Sequence, residues 1–201
     1  MTARRLSAEL GALYSPDRHR FKSWHRIWLL LFSDPIMNTW KIDPSQSKIA
    51  FKVGYMQIGV ITGEFRAFEG QVEYDYTFEG VSIEIAVDSR SLTTFHFLRD
   101  KGVLGADVFD TDNFPVILFT STSFRRVSSG GLFELSGLLT IKGRMAMIQA
   151  MVSLASFSLV NAVFKFSGSL SRKAFGLGGP GTPDQESVAD VVEFFGEISV
   201  H

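Results

Sequence analysis

Cysteine is absent from the 201 residues of this sequence, and its absence excludes disulfides, thiolate nucleophiles and zinc sites with cysteine ligands. An excess of charge is also missing, because 20 basic residues stand against 21 acidic ones and leave a formal net charge of −1. A protein that binds nucleic acid through its phosphates needs a dense basic surface. The composition therefore predicts no nucleic-acid partner.

Histidine is scarce as well, and the four in the chain are too scattered for a three-histidine zinc site. Two lie in the first 36 residues and one is the last residue, which leaves His96. No G-x-S-x-G nucleophile elbow occurs. The segment "GLGGPG" (176–181) matches G-x-G-x-x-G, but Pro180 and Pro183 predict a loop rather than the start of a helix. The sequence thus predicts a protein that is not an enzyme and holds no metal or cofactor.

A long apolar run is missing from the N-terminal region. "IWLLLF" (27–32) follows a basic stretch, but it is shorter than the roughly 7–15 apolar residues of a signal peptide and the about 20 that cross a bilayer. Residues 1–36 are therefore interpreted as an extension, either a basic amphipathic segment or sequence upstream of the true start. Met37 is the hypothesised initiator of a domain over residues 37–201, and the intact mass of native protein tests this.

Phenylalanine is abundant, with 19 residues against 3 tryptophans and 4 tyrosines. Its ring brings a large apolar area without a polar atom to satisfy, so it suits a dry interior. A core filled by phenylalanine and a cavity for a long apolar ligand are both compatible with this composition.

From residue 40 onward, apolar residues recur with a period of two, which is typical of antiparallel strands with one solvated face. "AMIQAMVSLASFSL" is apolar on both faces, and "FHFLRDKGVLGADVF" breaks the alternation and predicts a short helix. A sheet of this many strands closes into a barrel or splits into a sandwich. The apolar faces include Ile49, Phe51, Val53 and Tyr55; Val81, Ile83, Ile85 and Val87; Phe133, Leu135, Leu139 and Ile141; and Phe164, Phe166 and Leu170.

The acidic stretch "DVFDTDNFPVILFTS" (107–121) raises the question of a calcium site. A calcium loop that starts at Asp110 would need an oxygen ligand at Phe114, a glycine at Pro115 and a glutamate at Ser121. None of these is present. The stretch is interpreted as a turn before a strand, since Asp and Asn side chains bond their own backbone and the residue before proline prefers an extended conformation.

Two arginines adjoin predicted apolar surfaces. Arg99 lies in the helical segment, and Arg172 follows the strand that carries Phe164 and Phe166. Such an arginine caps a carboxylate or carbonyl of the protein, or its planar fork binds a phosphate or quinone head group. The sequence leaves both alternatives open.

Six segments in order resemble the YceI-like, polyisoprenoid-binding family from about Trp40 to the C-terminus. In the helix, the residues Arg99 to Gly105 lack the family's usual histidine, second arginine and serine, and Tyr55 stands where a histidine is frequent. The segments are "WKIDPSQSKIAFKV", "GEFRAFEG", "IAVDSRSLTT", "LRDKGVLGADVFDTDNFPVILFTS", "LSGLLTIKG" and "LSRKAFGLG".

The resemblance implies an all-β, antiparallel lipocalin-like barrel with one short helical insertion. It also implies non-catalytic binding, storage or transport of a long isoprenoid or similar lipid, such as a polyprenyl phosphate or a quinone. Alternatives are a structural or stress-related module filled by its own side chains, and an isomerase- or cyclase-like enzyme that uses His96 or Tyr55. The predicted ligand-binding residues are Phe51, Val53, Phe65, Phe68, Ile83, Ile85, Phe119, Phe133, Phe164, Phe166, Arg99 and Arg172.

No stable membrane insertion is expected, and a homodimer is compatible with this interpretation. Because the first 36 residues lack a convincing export signal, the expected location is the cytoplasm, with the periplasm as the alternative.

Overall fold

The computed structural model describes residues 38–56, 59–75, 80–158, 160–178 and 187–201. The predicted extension, residues 1–36, and the hypothesised initiator Met37 lie outside the described residues, as does the second half of "GLGGPG". Within the described ranges, no helix is both long enough and apolar enough to span a membrane.

Across these ranges, eleven strands form one antiparallel sheet that is accompanied by one α-helix. The helix is α1 (Phe97–Leu104), within the segment where the alternation breaks, as predicted. The strands are β1 (Asn38–Lys41), β2 (Lys48–Tyr55), β3 (Gly59–Phe65), β4 (Phe68–Tyr74), β5 (Ser82–Asp88), β6 (Leu92–Thr93), β7 (Val116–Ser128), β8 (Leu132–Ile141), β9 (Arg144–Phe157), β10 (Ala162–Ser171) and β11 (Val188–Val200).

Six of these strands act in consecutive pairs as three long, bent strands. β1 and β2 both lie along β11, because Lys41 exchanges two backbone hydrogen bonds with His201 and Lys48 is opposite Glu197. β3 and β4 follow as the next bent strand, since β3 pairs with β2 and β4 pairs with β1. β5 and β6 form the third, since β5 pairs with β4 and β6 pairs with β3.

The sheet therefore closes on itself as a barrel. The three bent strands and the unbroken strands β7 to β11 form a ring of eight, in which each strand is hydrogen-bonded to the next. Closure removes the exposed edges that promote aggregation, and a ring of eight strands leaves an interior for side chains or one small ligand. The predicted antiparallel barrel with one short helical insertion is confirmed.

One end of the barrel, here called the base, holds the start of β1 and the ends of β9 and β11. The ring of Trp40 lies 4.2 Å from that of Tyr74 and 6.2 Å from that of Phe157, measured between centroids. Ala162 and Val200 are completely buried beside each other on paired strands. These side chains close the base.

The opposite end, here called the mouth, is crossed by α1 and the turns that follow it. Lys142 Nζ, in the β8–β9 turn, donates a hydrogen bond of 2.6 Å to the carbonyl oxygen of Ala106. Gly178 N, in the segment after β10, donates one of 3.2 Å to the carbonyl oxygen of Asp107. The helical insertion is therefore fixed to two neighbouring strand connections.

The acidic stretch at the mouth forms the predicted turn. Asp110 has a left-handed backbone with φ 51°, and its carboxylate accepts a hydrogen bond of 3.0 Å from Asn113 Nδ2. The amide of Phe114 donates to the carbonyl oxygen of Asp110, and β7 begins at Val116. Across the described residues, no group of three histidine or carboxylate side chains converges as a metal site would.

Candidate functional site

The barrel encloses a cavity of about 770 Å³. This volume lies within the range of about 300–1,000 Å³ that is usual for ligand pockets. Its wall is almost entirely aliphatic and aromatic and includes the predicted faces of β2, β5 and β10. The period-two prediction is thus confirmed at the level of single strands: Val81, Ile83, Ile85 and Val87 all contact the cavity.

Four phenylalanines on the wall each lie against a glycine of the adjacent strand. A Cβ atom built on any of these glycines would come closer than 3.0 Å to the ring, so a larger residue there would push the ring inward. Glycine therefore lets each ring lie flat against the wall instead of filling the interior. The pairs are Phe51 with Gly63, Phe119 with Gly137, Phe166 with Gly196, and Phe194 with Gly168.

This arrangement separates two of the alternatives that the composition left open. An interior filled by its own phenylalanines would have no free volume, whereas this barrel has room for a ligand despite its many rings. The interpretation as a self-filled module is therefore not favoured.

Most of the residues predicted to bind ligand lie on this wall, while two do not. Phe68 is buried in the hydrophobic core. Phe133 stacks on Phe124 with 4.7 Å between ring centroids. The guanidinium carbon of Arg126 lies 5.2 Å from the centroid of the Phe133 ring. The residues that contact the cavity are Phe51, Val53, Phe65, Ile83, Ile85, Phe119, Phe164, Phe166, Arg99 and Arg172.

Phe133 shares a strand face with cavity residues but stacks on Phe124, which itself contacts the cavity. On β8 it has the same orientation as Leu135 and Leu139, both of which contact the cavity. Strand periodicity determines the face of a residue but not which neighbouring ring it packs against, so the sequence could not exclude it.

Arg99 brings a positive charge to the mouth of the cavity. Its Nε donates a hydrogen bond of 2.8 Å to Thr94 Oγ1, and its Nη2 donates one of 3.0 Å to the carbonyl oxygen of Thr94. Among the described residues, no partner is found for Nη1. A guanidinium held on one side, with donors left on the other, can bind an oxygen-rich group of a ligand.

Asp100 holds this arrangement in place from the adjacent position on α1. Its carboxylate accepts hydrogen bonds from Thr93 Oγ1 at 2.9 Å, from Thr94 N at 2.7 Å and from Thr94 Oγ1. Burial by itself would raise the pKa of Asp100, but these hydrogen bonds and the charge of Arg99 outweigh it and lower the pKa. The carboxylate therefore stays ionised and fixes both threonines.

Arg172 also lies on the cavity wall, but its donors are directed to the protein. Its side chain donates to the carbonyl oxygens of Ala189 at 3.0 Å, Leu177 at 2.7 Å and Val188 at 2.9 Å. It is 6% exposed. These bonds join the turn after β10 to the first residues of β11, which is the carbonyl-capping role that the sequence left open.

The two residues considered for catalysis are differently placed. His96 is exposed and precedes α1 as its N-cap, where Nδ1 accepts a hydrogen bond of 3.4 Å from Arg99 N. Tyr55 contacts the cavity at the end of β2. No interaction brings an acid–base partner to either side chain among the hydrogen bonds of the described residues.

Thr94 is one of two polar wall residues, with Asp107, that the sequence did not assign to the ligand site. It is buried, contacts the cavity and links Arg99 to Asp100. The run "LTTF" offered a weak signal, since two threonines just before a helix commonly provide local hydrogen bonds.

Solved structures share this fold. BcnA of Burkholderia cenocepacia aligns with a TM-score of 0.72 and 24% identity over 79% of this chain and 98% of BcnA. A polyisoprenoid-binding domain from Saccharophagus degradans, implicated in plant cell wall breakdown, aligns with a TM-score of 0.66 and 15% identity over 81% and 97%. A YCEI protein of Campylobacter jejuni aligns with a TM-score of 0.64 and 17% identity over 72% and 86%.

Curated relatives match the sequence more closely over a shorter range. A UPF0312 protein of Vibrio cholerae is 34% identical over 101 residues, which are 50% of this chain and 53% of that protein. One of Vibrio vulnificus is 34% identical over 100 residues, with 49% and 52% covered. The chain spans about half the length of the curated relatives it matches. The model of the YceI-like domain matches residues 40–200, and the chain belongs to the YceI-like family.

Proposed function

We propose that this protein binds a long-chain isoprenoid or similar amphiphilic lipid inside its barrel without chemical change, for storage or transport. The observation that carries the proposal is the open, apolar cavity of about 770 Å³, kept free by phenylalanine rings that lie flat over glycines. Its relationship to a fold that includes a polyisoprenoid-binding domain supports the same class of ligand. We retain the cytoplasm as the expected compartment.

The apolar tail supplies most of the affinity in this proposal. Each buried methylene contributes roughly 0.8 kcal/mol by transfer from water, so a tail of several isoprene units binds without polar contacts. The loss of translational freedom and the ordering of the tail offset part of this gain. A wall of Phe, Ile, Val and Leu also fits methyl-branched chains of differing unsaturation.

A polar head group, in this proposal, lies at the mouth beside Arg99. The donors of Arg172 are taken by carbonyl oxygens, whereas Arg99 uses one face of its guanidinium for Thr94 and retains Nη1. A phosphate or a quinone carbonyl has the acceptors that such a fork binds.

The first test is native mass spectrometry of the full chain from its own host, followed by organic extraction. A matched pair of variants on β9 makes the test specific. Ile148 contacts the cavity, while Met147 lies on the outer face and is 56% exposed. Ile148→Trp is expected to abolish the bound lipid because the indole occupies its space, and Met147→Trp is expected to leave the lipid in place. A protein with no extractable lipid and no uptake of added polyprenol would contradict the proposal.

The head-group assignment has a separate test. Arg99→Gln is expected to weaken the binding of a polyprenyl phosphate about tenfold, which is typical for the loss of one charge-assisted contact. It should leave the affinity for the uncharged polyprenol unchanged. Arg90→Gln serves as the control, since Arg90 is exposed and paired with Asp88 away from the cavity wall. Equal losses for phosphate and alcohol would remove Arg99 from the head-group site.

A further inference from the structure

Three of four consecutive positions at the mouth expose apolar side chains to solvent. Phe95 is 63% exposed, Phe97 is 80% exposed and Leu98 is 71% exposed. They lie where the chain leaves β6 and enters α1, and they are here called the mouth tip. Phe95 also has a left-handed backbone with φ 62°, a conformation that bulky residues rarely adopt. Its exposed ring gains little packing to offset the energy of this conformation.

The mouth tip is continuous with the cavity wall. Leu98 and Gly102 both contact the cavity, although both are exposed on the helix. A Cβ atom built on Gly102 would meet no atom within 4 Å. Helix α1 therefore lies between the apolar cavity and the exposed apolar side chains of the mouth tip. An apolar molecule that moves past Leu98 and Gly102 into the cavity stays in contact with apolar atoms.

Cations flank the mouth tip, while the nearby carboxylates are engaged. The guanidinium of Arg66 lies 5.8 Å from the centroid of the Phe95 ring, and Lys101 is exposed one helical turn after Phe97. Glu64 is shared by Arg66 at 3.1 Å and Lys48 at 3.4 Å. The carboxylate of Asp100, described above, accepts its hydrogen bonds from the protein. Lys101 has no carboxylate partner among the ion pairs of the described residues, so its positive charge beside the exposed rings can meet an anionic group.

We propose that the mouth tip, with Arg66 and Lys101, docks the protein on an anionic lipid bilayer, from which cargo enters the cavity through the mouth. Exposed Phe and Leu side chains enter the boundary between head groups and acyl chains, and neighbouring cations meet the anionic head groups. The transfer of cargo rests on the proposed function, whereas the docking does not.

The test is co-sedimentation of the full chain with vesicles of phosphatidylcholine and phosphatidylglycerol. The double variant Phe95→Ser/Phe97→Ser removes two rings that do not contact the cavity. Its vesicle partition coefficient is expected to fall about tenfold or more, and wild-type binding is expected to weaken on pure phosphatidylcholine and at high salt. Met145→Ser/Met147→Ser is the matched control, because these side chains are 63% and 56% exposed on the outer face of β9.

Each other result overturns the docking proposal. Equal binding by wild type and the phenylalanine variant would assign any membrane affinity to another part of the chain. An equal loss in the methionine control would show that exposed apolar area alone is responsible. Loss of self-association in sedimentation velocity, with vesicle binding unchanged, would make the mouth tip an interface between copies of the chain.

The cavity variant keeps this failure distinct from failure of the proposed function. Ile148→Trp is expected to lose cargo but to bind vesicles as wild type does. The phenylalanine variant is expected to bind polyprenol added in detergent as wild type does, because its cavity wall is intact.

Discussion

Glycine on one strand determines how close a phenylalanine ring of the next strand lies to the barrel wall. Gly63 of β3 is opposite Phe51 of β2, and a Cβ atom on Gly63 would also lie 2.8 Å from the carbonyl oxygen of Thr93. Because Gly63 has no Cβ atom, the Phe51 ring can stay against the barrel wall and leave the cavity free.

Replacing this glycine has a measurable effect on stability. We expect Gly63→Ala to reduce the free energy of unfolding by about 1–3 kcal/mol, because the ring and the Thr93 carbonyl must both shift. Gly59→Ala on the same strand is the control, since its nearest atom would be Tyr55 O at an ordinary 3.5 Å. Urea unfolding of both variants and of Gly63→Ala/Phe51→Leu measures the effect. Equal stabilities for the two alanine variants, or no recovery in the double variant, would contradict the close packing.

At the scale of elements, α1 is a short helix with a glycine in its interior. Gly102 has no left-handed backbone and no neighbour near its missing side chain. Glycine there weakens the helix, since it loses more backbone freedom on folding than alanine does.

Gly102→Ala is therefore expected to raise the free energy of unfolding by about 0.5–1 kcal/mol. Gly176→Ala is the contrasting variant, because Gly176 has φ 67° and its Cβ would lie 2.8 Å from the guanidinium carbon of Arg144. It should destabilise the protein. Thermal unfolding compares the two, and amide hydrogen exchange over α1 should slow in Gly102→Ala. Destabilisation by Gly102→Ala would show that α1 needs glycine for a conformation other than this one.

On the scale of the whole molecule, aspartates hold the breaks and turns of the barrel. Asp43 caps the 3-10 turn between β1 and β2, and Asp88 caps the one between β5 and β6. Asp100 holds α1, and Asp190 accepts hydrogen bonds from Ser171 and Lys173 after β10. The pKa of each of these carboxyl groups is lowered from its ordinary value, because the hydrogen-bond donors around it favour the charged form and outweigh the effect of burial.

This distribution gives the stability a defined dependence on pH. A carboxyl whose pKa is lower in the folded state stabilises the fold above the unfolded value of about 3.9, and this contribution is lost as pH falls through the folded value. We expect the contribution of these four groups to the free energy of unfolding to be nearly constant between about pH 7 and 5. It should fall below about pH 4. Urea unfolding at several pH values measures this. Asp100→Asn should be less stable at pH 7 and should differ less from wild type at low pH; a constant difference would exclude this carboxylate as a source.

The sequence by itself determined the faces of the strands, because a period of two follows from the pleat and needs no partner. It also determined the turn at Asp110 to Asn113 and the helix that follows His96, since caps and turns are local. These are the features that brought Ile83, Ile85 and most of the predicted phenylalanines onto one surface.

Only the tertiary structure decided the rest, since it depends on contacts between distant parts of the chain. Closure needs Lys41 beside His201, which no local pattern specifies. The packing of neighbouring strands stacked Phe133 on Phe124, and Phe133 does not contact the cavity. Distant carbonyl oxygens also decided the roles of the two arginines. Arg172 donates to the backbone of β11, whereas Nη1 of Arg99 has no partner among the described residues. Long-range geometry thus converts a set of apolar faces into a container with a mouth.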